Sequence, residues 1–515
     1  MASEVYRNLT WAKTTRTRWE RDIDEAEEFY HVISRVYEGS GRMFFAMTGF
    51  ISLSVDVGND IKLEKAEQRV EQALRNAWLH LRYNHPNIAS WVEYDGASEK
   101  FRKVYEACEE ESDQQAWLES TFHKISTSGT GIEWANSDPP APKLPTLFVI
   151  KSDNHESKDG TIYRDIVFRS PHEIIDGIGT LQLLDNLFIL ASRAYNQQSS
   201  YQIPAFGTEV DNLTPPLRVA ALIPPSLSAE QQQRLEQILA ENAQLRHGVE
   251  IACLPFKVGA ELPGVHKRVA LTYSRQDTQS LLLACKERNI TVTHAYHAAI
   301  AMALRDLQEK RHENRRVRYI SYCLINLRKH CTAPYNTPTH PVSVIHSSSG
   351  RSLVVDLEVP PSKEGGRAST KRRNEFTEVV AGVRDFYLSI RDDKEHLSRV
   401  PTYWKSGVPR LPESALLSRE VFKVPPPDPS PTVSISSMGR IDDIIAPEHG
   451  EFKLHDPWVT GEELRSGLGL FLGSWKGQLT LSAAYNDAWH EGGEVLRFLK
   501  SCEQIVWQGL GIDCH

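Results

Sequence analysis

The stretch from Tyr163 to Phe188 constrains this chain more than any other. It opens with the apolar run Ile166–Phe168 between polar neighbours, which predicts a β-strand, and Ser170-Pro171 ends that strand. His172 follows directly, and Asp176-Gly177 then precedes a series of leucines at helical spacing. The spacing H-x-x-x-D-G thus places a histidine just past a strand end, in apolar surroundings. An imidazole in such a place can accept a proton near neutral pH, which is the task of a general base.

The same spacing occurs a second time, in the segment His155–Gly160. That copy is polar throughout and is separated from the β-like run before it by Ser152-Asp153-Asn154. Because Asp-Gly between two strand-like stretches is typical of a hairpin turn, we predict a surface loop there. The surroundings of the motif, and not its spacing, distinguish the two copies and single out His172.

Charge and cysteine usage narrow the class of protein. The chain has 59 Lys+Arg against 67 Asp+Glu, a formal net charge of −8, which gives no support to a nucleic-acid partner. The seven cysteines are dispersed without a C-x-x-C pair, and His294 and His297 have no evident third ligand, so we predict neither a disulfide framework nor a metal site. No stretch approaches about eighteen apolar residues, and the first residues lack an apolar signal region. We therefore expect a cytoplasmic protein without membrane insertion.

The order of the predicted elements divides the chain into two halves of mixed α and β structure. Residues 1–220, which begin with a charged, helix-like segment at 15–37, predict an N-terminal lobe that carries the HxxxDG segment. A crossover is predicted at 221–264, after a proline-rich linker, and a second series of strands and long helices predicts a C-terminal lobe at 265–515. The expected fold class is α/β (α+β), with a mixed β-sheet and flanking helices in each lobe.

The segment SPHEIIDG after a strand resembles the active-site segment of the HxxxD acyltransferase superfamily, which includes chloramphenicol acetyltransferase, the plant BAHD acyltransferases and the condensation domains of peptide synthetases. The length and the order of the elements most closely resemble the fungal trichothecene 15-O-acetyltransferases. The resemblance implies a two-lobed CoA-dependent acyltransferase fold with the active-site tunnel between the lobes. It also implies that acetyl-CoA is the co-substrate, with no permanently bound cofactor and no metal. The implied acceptor is a hydroxylated sesquiterpenoid, namely the C15 hydroxyl of a trichothecene, and we expect a monomer.

His172 and Asp176 carry the chemistry that the resemblance implies. His172 is the expected general base. The aspartate of the motif is regarded in this superfamily as structural, pointing away from the substrate in an ion pair, and an unpaired buried carboxylate would be costly. Arg328, at a predicted strand end in the other half, is the first candidate for the partner of Asp176, and Arg82 is the second. Arg328 is also a candidate for binding CoA.

Attack on a thioester creates an oxyanion that needs a hydrogen-bond donor. Plant BAHD enzymes carry D-F-G-W-G in the C-terminal half, and this sequence has no such motif. At the comparable place a predicted strand offers Ser436 or Ser437 as the oxyanion donor, with Tyr485 or Asn486 as alternatives, and Ser436 is the one that we expect. Ser437, Tyr485, Asn486 and Gly177 are further candidates for binding the substrate or CoA. For each serine, a hydroxyl bonded locally within the strand is the alternative.

Two other functions stay open. A condensation-like acyltransferase, which takes acyl groups from a carrier protein, would have H-H-x-x-x-D-G, but Pro171 stands in the place of its first histidine. A relative that only binds a small molecule would not need the intact His172 and Asp176-Gly177. No nucleophilic Ser or Cys is placed beside His172, because Ser170 precedes Pro171 at the strand end. We therefore expect direct transfer in a ternary complex rather than a covalent acyl-enzyme.

Overall fold

The computed structural model of the protein describes residues 6–57, 62–153, 160–260, 262–361, 369–411 and 421–512. In these ranges the α-helices are α1 (Glu25–Val36), α2 (Leu63–Asn84), α3 (Glu111–Thr121), α4 (Gly131–Ala135), α5 (Gly177–Gln197), α6 (Leu217–Ala220), α7 (Ala229–Gln244), α8 (Arg275–Glu287), α9 (Val292–Leu307), α10 (Ser369–Arg391), α11 (His396–Gly407) and α12 (Gly492–Leu510). The β-strands are β1 (Ala12–Lys13), β2 (Arg18–Asp22), β3 (Met47–Asp56), β4 (Ser90–Asp95), β5 (Lys100–Glu106), β6 (Phe122–Thr127), β7 (Thr146–Ser152), β8 (Thr161–Ser170), β9 (Glu250–Ile251), β10 (His266–Thr272), β11 (Arg315–Ser321), β12 (Leu324–Asn326), β13 (His346–Ser348), β14 (Leu353–Val359), β15 (Val433–Arg440), β16 (Glu448–His449), β17 (Phe452–Gly461), β18 (Leu468–Trp475) and β19 (Gln478–Asn486). No helix in the described part of the chain combines the length and the apolar character that a bilayer crossing needs.

The N-terminal sheet is built around β8, the strand that the sequence predicts before His172. Its strands lie in the order β16-β17-β3-β8-β7-β6, and β8 pairs antiparallel with both β3 and β7. Ile166 and Phe168 of β8 are fully buried and share a core with Leu74 of α2 and Leu184 of α5. The amphipathic spacing of these two helices therefore covers the sheet and fixes the strand end that precedes His172.

The antiparallel pair of β7 and β8 flanks the second HxxxDG copy. Apart from Gly160, the predicted turn His155–Gly160 lies outside the described residues. Gly160 has a φ of 74°, the left-handed conformation that glycine adopts without steric cost. The two strands on either side of this segment pair antiparallel.

Two strands of the N-terminal sheet, β16 and β17, come from the C-terminal part of the chain. β17 pairs antiparallel with β3, and its register shifts between His455 and Trp458. Pro457 lies at this irregularity, where a residue without an N–H group costs no regular ladder bond. The boundaries predicted from the sequence, 1–220 and 265–515, place these residues in the second lobe, although they pair in the N-terminal sheet. The division into two lobes stays a prediction.

The C-terminal part holds a second core. Two sheets, in the orders β10-β19-β18-β15 and β14-β11-β9, pack with α9, α10 and α12 around one apolar cluster. Every residue of α9 from His294 to Arg305 is buried, as expected for a helix that is apolar nearly all round. The ring nitrogens of His297 hydrogen-bond the hydroxyls of Tyr387 and Tyr319 at 3.0 and 3.1 Å. His297 is therefore a packed core histidine.

Three elements meet between the two cores, namely α1, α11 and the strand pair β12–β13. Asp24 and Glu27 form a capping box that starts α1. The rings of Phe29 in α1 and Trp404 in α11 lie 5.0 Å apart, and β12 pairs antiparallel with β13. Tyr30 belongs to the same apolar cluster. These elements bring side chains from both halves of the chain close to His172.

Candidate active site

A cavity of about 550 Å³ lies beside His172, a volume that suits a small organic molecule. Tyr30 and Phe45 from the first half of the chain line it together with His172. His346 and Ser436 line it from the second half. The segment singled out in the sequence therefore opens into a space that both halves form.

His172 lies directly after Pro171, past the end of β8, and it is half-buried. Burial, and to a smaller extent the neighbouring His346, lowers the pKa of His172 to about 3. The imidazole is therefore neutral at pH 7, the form that can accept a proton. Its Nδ1 is buried and makes no hydrogen bond of ordinary geometry to a described residue, although backbone groups of His172 and Ile175 favour the protonated ring.

Asp176 is held by donors from three directions. It is the N-cap of α5 and accepts a hydrogen bond from the Gly179 N–H at 2.7 Å. The guanidinium of Arg328 donates to both carboxylate oxygens, at 2.8 and 3.0 Å, and the Ile345 N–H donates to Oδ2 at 2.8 Å. The predicted pair of Asp176 with Arg328 is confirmed. The partner of Arg328 in this structure is thus a carboxylate, and its expected role in binding CoA has no support from these contacts.

These partners set the charge of Asp176. Burial alone would raise the pKa of its carboxyl, but Arg328 and His346 hold that pKa well below its ordinary value. Asp176 is therefore ionised near neutral pH, which suits an anchor rather than a proton carrier. Arg82, the second candidate partner, instead donates to the carbonyl of Glu106 and lies 5.0 Å from the ring of Trp117.

Gly179 lets the two halves of the chain approach each other at this pair. A Cβ atom at this position would lie 2.3 Å from the Pro341 carbonyl oxygen and 2.9 Å from Nη2 of Arg328. Both distances are shorter than a carbon atom tolerates without movement of the neighbouring groups. The D-G-I-G sequence therefore places Asp176, the start of α5 and Arg328 in contact.

A second buried ion network supports the His172 loop from the other side. Lys103 Nζ donates to the Glu173 carbonyl at 2.6 Å and to Glu27 Oε1 at 2.7 Å, and Arg21 donates twice to the Glu27 carboxylate. The side chains of Lys103 and Arg21 are completely buried. Burial alone would raise the pKa of Glu27, but Arg21 and Lys103 lower it to about 2. The loop that carries His172 is thus fixed at Glu173 and at Asp176.

Sequence reasoning missed two side chains that contact this site, Tyr30 and His346. The ring of Tyr30 stacks on His172 with centroids 3.7 Å apart and planes 8° from parallel. The Tyr30 hydroxyl is 2.8 Å from Nε2 of His346. Nothing in the local pattern marks either residue, because Tyr30 occupies an ordinary buried position of a charged helix and His346 is a single histidine at the start of a short strand.

The serines of β15 reach the same cavity as His172. Ser436 is half-buried and Ser437 is exposed, and both line the cavity together with Gly177. Ser437 Oγ accepts a hydrogen bond from Thr293 Oγ1 at 3.1 Å. A role for Ser436 as oxyanion donor stays a prediction, as does the role of His172 as base.

Tyr485 and Asn486 do not line this cavity, which contradicts their predicted place in the site. Tyr485 is buried in the C-terminal core. Asn486 is fully buried, donates to the Pro263 carbonyl at 3.2 Å and accepts from the Ala488 N–H at 2.9 Å. Both residues lie at the end of β19, where Tyr485 packs in the core and Asn486 hydrogen-bonds backbone groups of nearby residues.

The cavity walls are strongly aromatic. Phe29, Phe44, Phe45 and Trp404 line it, and the Phe44 and Phe45 rings stack with centroids 4.0 Å apart. Aromatic faces of this kind bury apolar ring systems with defined geometry. The cavity therefore offers apolar surface to a ring system, beside polar side chains such as Ser436 and Asn326.

Acid should destabilise the fold partly through His172. The pKa of its ring is about 3 in the folded protein and about 6.5 in an unfolded chain, so the unfolded state binds the proton first as the pH falls. The stability that the neutral His172 ring contributes is therefore complete above about pH 6.5. As the pH falls toward about 3, it is lost by up to about 1.4 kcal/mol per pH unit. In His172→Gln, the free energy of unfolding should fall less steeply by that amount between about pH 6 and about pH 4. Chemical denaturation of both proteins measures this difference, and equal slopes would contradict a buried neutral histidine.

Comparison with known proteins agrees with this geometry. Residues 12–333 match the family described as 15-O-acetyltransferase Tri3. The O-acetyltransferase pigM of Monascus ruber is 25% identical over 507 residues, which are 98% of this chain and 88% of that protein. The azaphilone biosynthesis cluster protein M of Aspergillus terreus is 23% identical over 354 residues, which are 68% of this chain and 78% of that protein.

Solved structures show the fold. The TRI3 trichothecene 15-O-acetyltransferase from Fusarium sporotrichioides superposes with a TM-score of 0.76 at 18% identity, over 98% of this chain and 99% of that one. The first condensation domain of the CDA synthetase superposes with a TM-score of 0.58 at 13% identity, over 95% and 96% of the two chains. The predicted α/β acyltransferase fold is thereby confirmed. The family match spans more than half of the chain, and this chain therefore belongs to the acetyltransferase family described as 15-O-acetyltransferase Tri3.

Proposed function

We propose that this protein transfers an acetyl group from acetyl-CoA to a hydroxyl group of an apolar fungal secondary metabolite, with His172 as the general base. The observation that carries the proposal is a neutral imidazole, fixed on both sides by buried ion pairs, in an aromatic cavity between the two halves of the chain. A hydroxyl that enters this cavity can meet in His172 a group able to take its proton.

The reaction follows from these groups in one sequence of bond changes. His172 removes the proton from the acceptor hydroxyl while that oxygen forms a bond to the thioester carbon, and the carbonyl oxygen becomes an oxyanion. Ser436 donates a hydrogen bond to the oxyanion. When the C–S bond breaks, the thiolate of CoA takes the proton back from His172, and the acetyl ester and free CoA leave. Asp176 takes no part in the proton transfer, since Arg328 keeps it ionised.

Two exposed arginines suit the phosphates of CoA. Arg351 and Arg465 line the cavity, and Arg351 also borders an adjoining cavity of about 650 Å³. Guanidinium groups bind phosphate oxygens in a fork geometry, which supports acetyl-CoA as the donor. A carrier-protein donor, as in condensation domains, is disfavoured because Pro171 stands where those domains carry the first histidine of their motif.

The acceptor that we propose first is the C15 hydroxyl of a trichothecene, since the family description and the Fusarium neighbour both name 15-O-acetyl transfer. A hydroxylated azaphilone is the second candidate, because one relative is a protein of an azaphilone biosynthesis cluster. The aromatic walls suit the apolar skeleton of either class.

Incubation of the purified protein with acetyl-CoA and a panel of hydroxylated compounds tests this function. The panel contains a trichothecene with a free C15 hydroxyl, a hydroxylated azaphilone and a polar sugar alcohol. Release of free CoA thiol together with a new acetyl ester on an apolar compound is the expected result. Thiol release with acetate as the only product, or transfer only from a carrier-bound thioester, would contradict it.

Removal of the Ser436 hydroxyl should slow the reaction without weakening acceptor binding. Ser436→Ala is expected to lower kcat by about 10²–10³-fold, the usual cost of losing one oxyanion donor, and to change KM little. Ser437→Ala is the matched variant, and its smaller loss would assign the donor to the half-buried serine. Steady-state kinetics with both variants makes the comparison. A larger loss of kcat in Ser437→Ala would assign the oxyanion contact to Ser437 instead.

A further inference from the structure

Tyr30 is placed against His172 more closely than packing of two unrelated rings requires. The two rings are parallel within 8° at a centroid separation of 3.7 Å, and Tyr30 is otherwise buried in α1. Phe45 approaches His172 edge-on at 6.5 Å from another direction. One face of the imidazole is therefore covered by a phenol ring.

The hydroxyl of Tyr30 is itself held in place. Burial raises the pKa of Tyr30 well above its ordinary value, so the hydroxyl keeps its proton at neutral pH and can donate to Nε2 of His346, 2.8 Å away. Nδ1 of His346 lies 3.7 Å from Oδ2 of Asp176, too far for a hydrogen bond but near enough for electrostatic attraction. The Trp404 indole donates to the His346 carbonyl at 3.2 Å. The motif aspartate is thus connected to the face of the motif histidine through two side chains that lie outside the motif.

We propose that Tyr30 is a positioning residue for His172, and that His346 orients Tyr30 by accepting its hydroxyl proton in a hydrogen bond. The proposal rests on the proposed function, in which His172 becomes an imidazolium during the reaction. The π face of a phenol attracts a cation at this distance, and it attracts the neutral imidazole of the resting state much less. The stack therefore favours the charged state that forms only as the acceptor hydroxyl is deprotonated.

Replacement of Tyr30 separates the ring from its hydroxyl. Tyr30→Leu should lower kcat by about 3- to 30-fold with KM nearly unchanged, because it removes the stacked ring. Tyr30→Phe keeps the ring but loses the hydrogen bond to His346, so its kcat should lie between those of the wild type and of Tyr30→Leu. Tyr195→Leu is the matched control. Tyr195 is also a buried helical tyrosine, but it lies near the C-terminal end of α5, whereas the motif lies at the N-terminal end. Tyr195→Leu should lose stability without loss of kcat.

Two variants of His346 test whether its hydrogen bond orients Tyr30. His346→Gln offers an amide oxygen to the Tyr30 hydroxyl and should retain most of kcat, whereas His346→Leu offers no acceptor and should fall toward Tyr30→Leu. Unchanged kcat in both Tyr30→Leu and His346→Leu would overturn the proposal. A Tyr30→Phe protein as slow as His172→Ala would also overturn it, because the hydroxyl would then transfer protons itself.

A second measurement does not depend on turnover. Diethyl pyrocarbonate acylates accessible neutral imidazoles, and peptide mass spectrometry can follow its reaction with His172. The modification should be several times faster in Tyr30→Leu than in the wild type or in Tyr30→Phe, since loss of the stacked ring lets the imidazole turn and present a ring nitrogen to the reagent. Equal rates in all three proteins would reject the stack even if no acetyl transfer were found. If the wild type transferred no acetyl group, the proposed function would be rejected, and the modification rates would still show whether Tyr30 covers His172.

Discussion

Replacing His172 with alanine is expected to lower kcat by about 10²–10⁴-fold while the fold stays intact. The physical reason is that the acceptor hydroxyl, with its high pKa, is a poor nucleophile until a base removes its proton in the transition state. His172 is neutral at pH 7 and lines the cavity, so we expect it to supply that base. Steady-state acetyl transfer together with a thermal melt of each protein gives the measurement.

His85 provides the matched control for this variant. It is another buried histidine whose pKa burial lowers to about 3, but it does not line the cavity beside His172. His85→Ala should cost stability without the loss of kcat expected for His172→Ala. Turnover near the wild type in a well-folded His172→Ala protein would show that the base is another group.

Asp176→Ala should lose stability as well as activity. The substitution leaves the Arg328 guanidinium buried without its carboxylate and removes the N-cap of α5, so we expect a loss of about 3–5 kcal/mol in the free energy of unfolding. Asp176→Asn keeps the shape and part of the hydrogen bonding, so it should keep part of the rate. Denaturant unfolding of both variants, beside their kinetics, measures these effects.

A double variant tests whether the loss belongs to the ion pair. Asp176→Leu with Arg328→Met removes both charges, and it should be less destabilised than the sum of the two single variants. If Asp176→Ala instead kept the wild-type thermal stability and lost only activity, the carboxylate would act directly on His172 and the anchor role would be wrong.

The segment around His172 could be predicted because the residues that specify its structure are consecutive in the sequence. The strand β8, the histidine after it and the helix α5 follow one another in the chain, and each is specified by its own apolar period and its own turn residues. The pair of Asp176 with Arg328 was also within reach, since a buried carboxylate needs a cation and Arg328 stands at a strand end of the other half.

Other parts depend on contacts between distant segments. β17 contains Pro457 and a register shift, so its sequence lacks the regular alternation of a strand even though it pairs on both sides, with β16 and with β3. The charged segment at 15–37 was expected to be helical, but its first part pairs as β2 with β5 before α1 begins. Tyr485 was misplaced because strand alternation does not tell which face of β19 borders a cavity.

The fate of a labelled acetyl group tests the central claim most directly. Wild-type protein, acetyl-CoA carrying ¹³C in its acetyl group and a hydroxylated apolar acceptor are mixed, and mass spectrometry follows the label on the protein and on the acceptor. The account predicts that the label passes to an acceptor hydroxyl at the rate of thiol release, that the protein never carries it, and that His172→Ala slows the transfer by about 10²–10⁴-fold. A labelled acetyl-protein that forms with acetyl-CoA alone and then acetylates the acceptor at a competent rate would contradict direct transfer with His172 as the base.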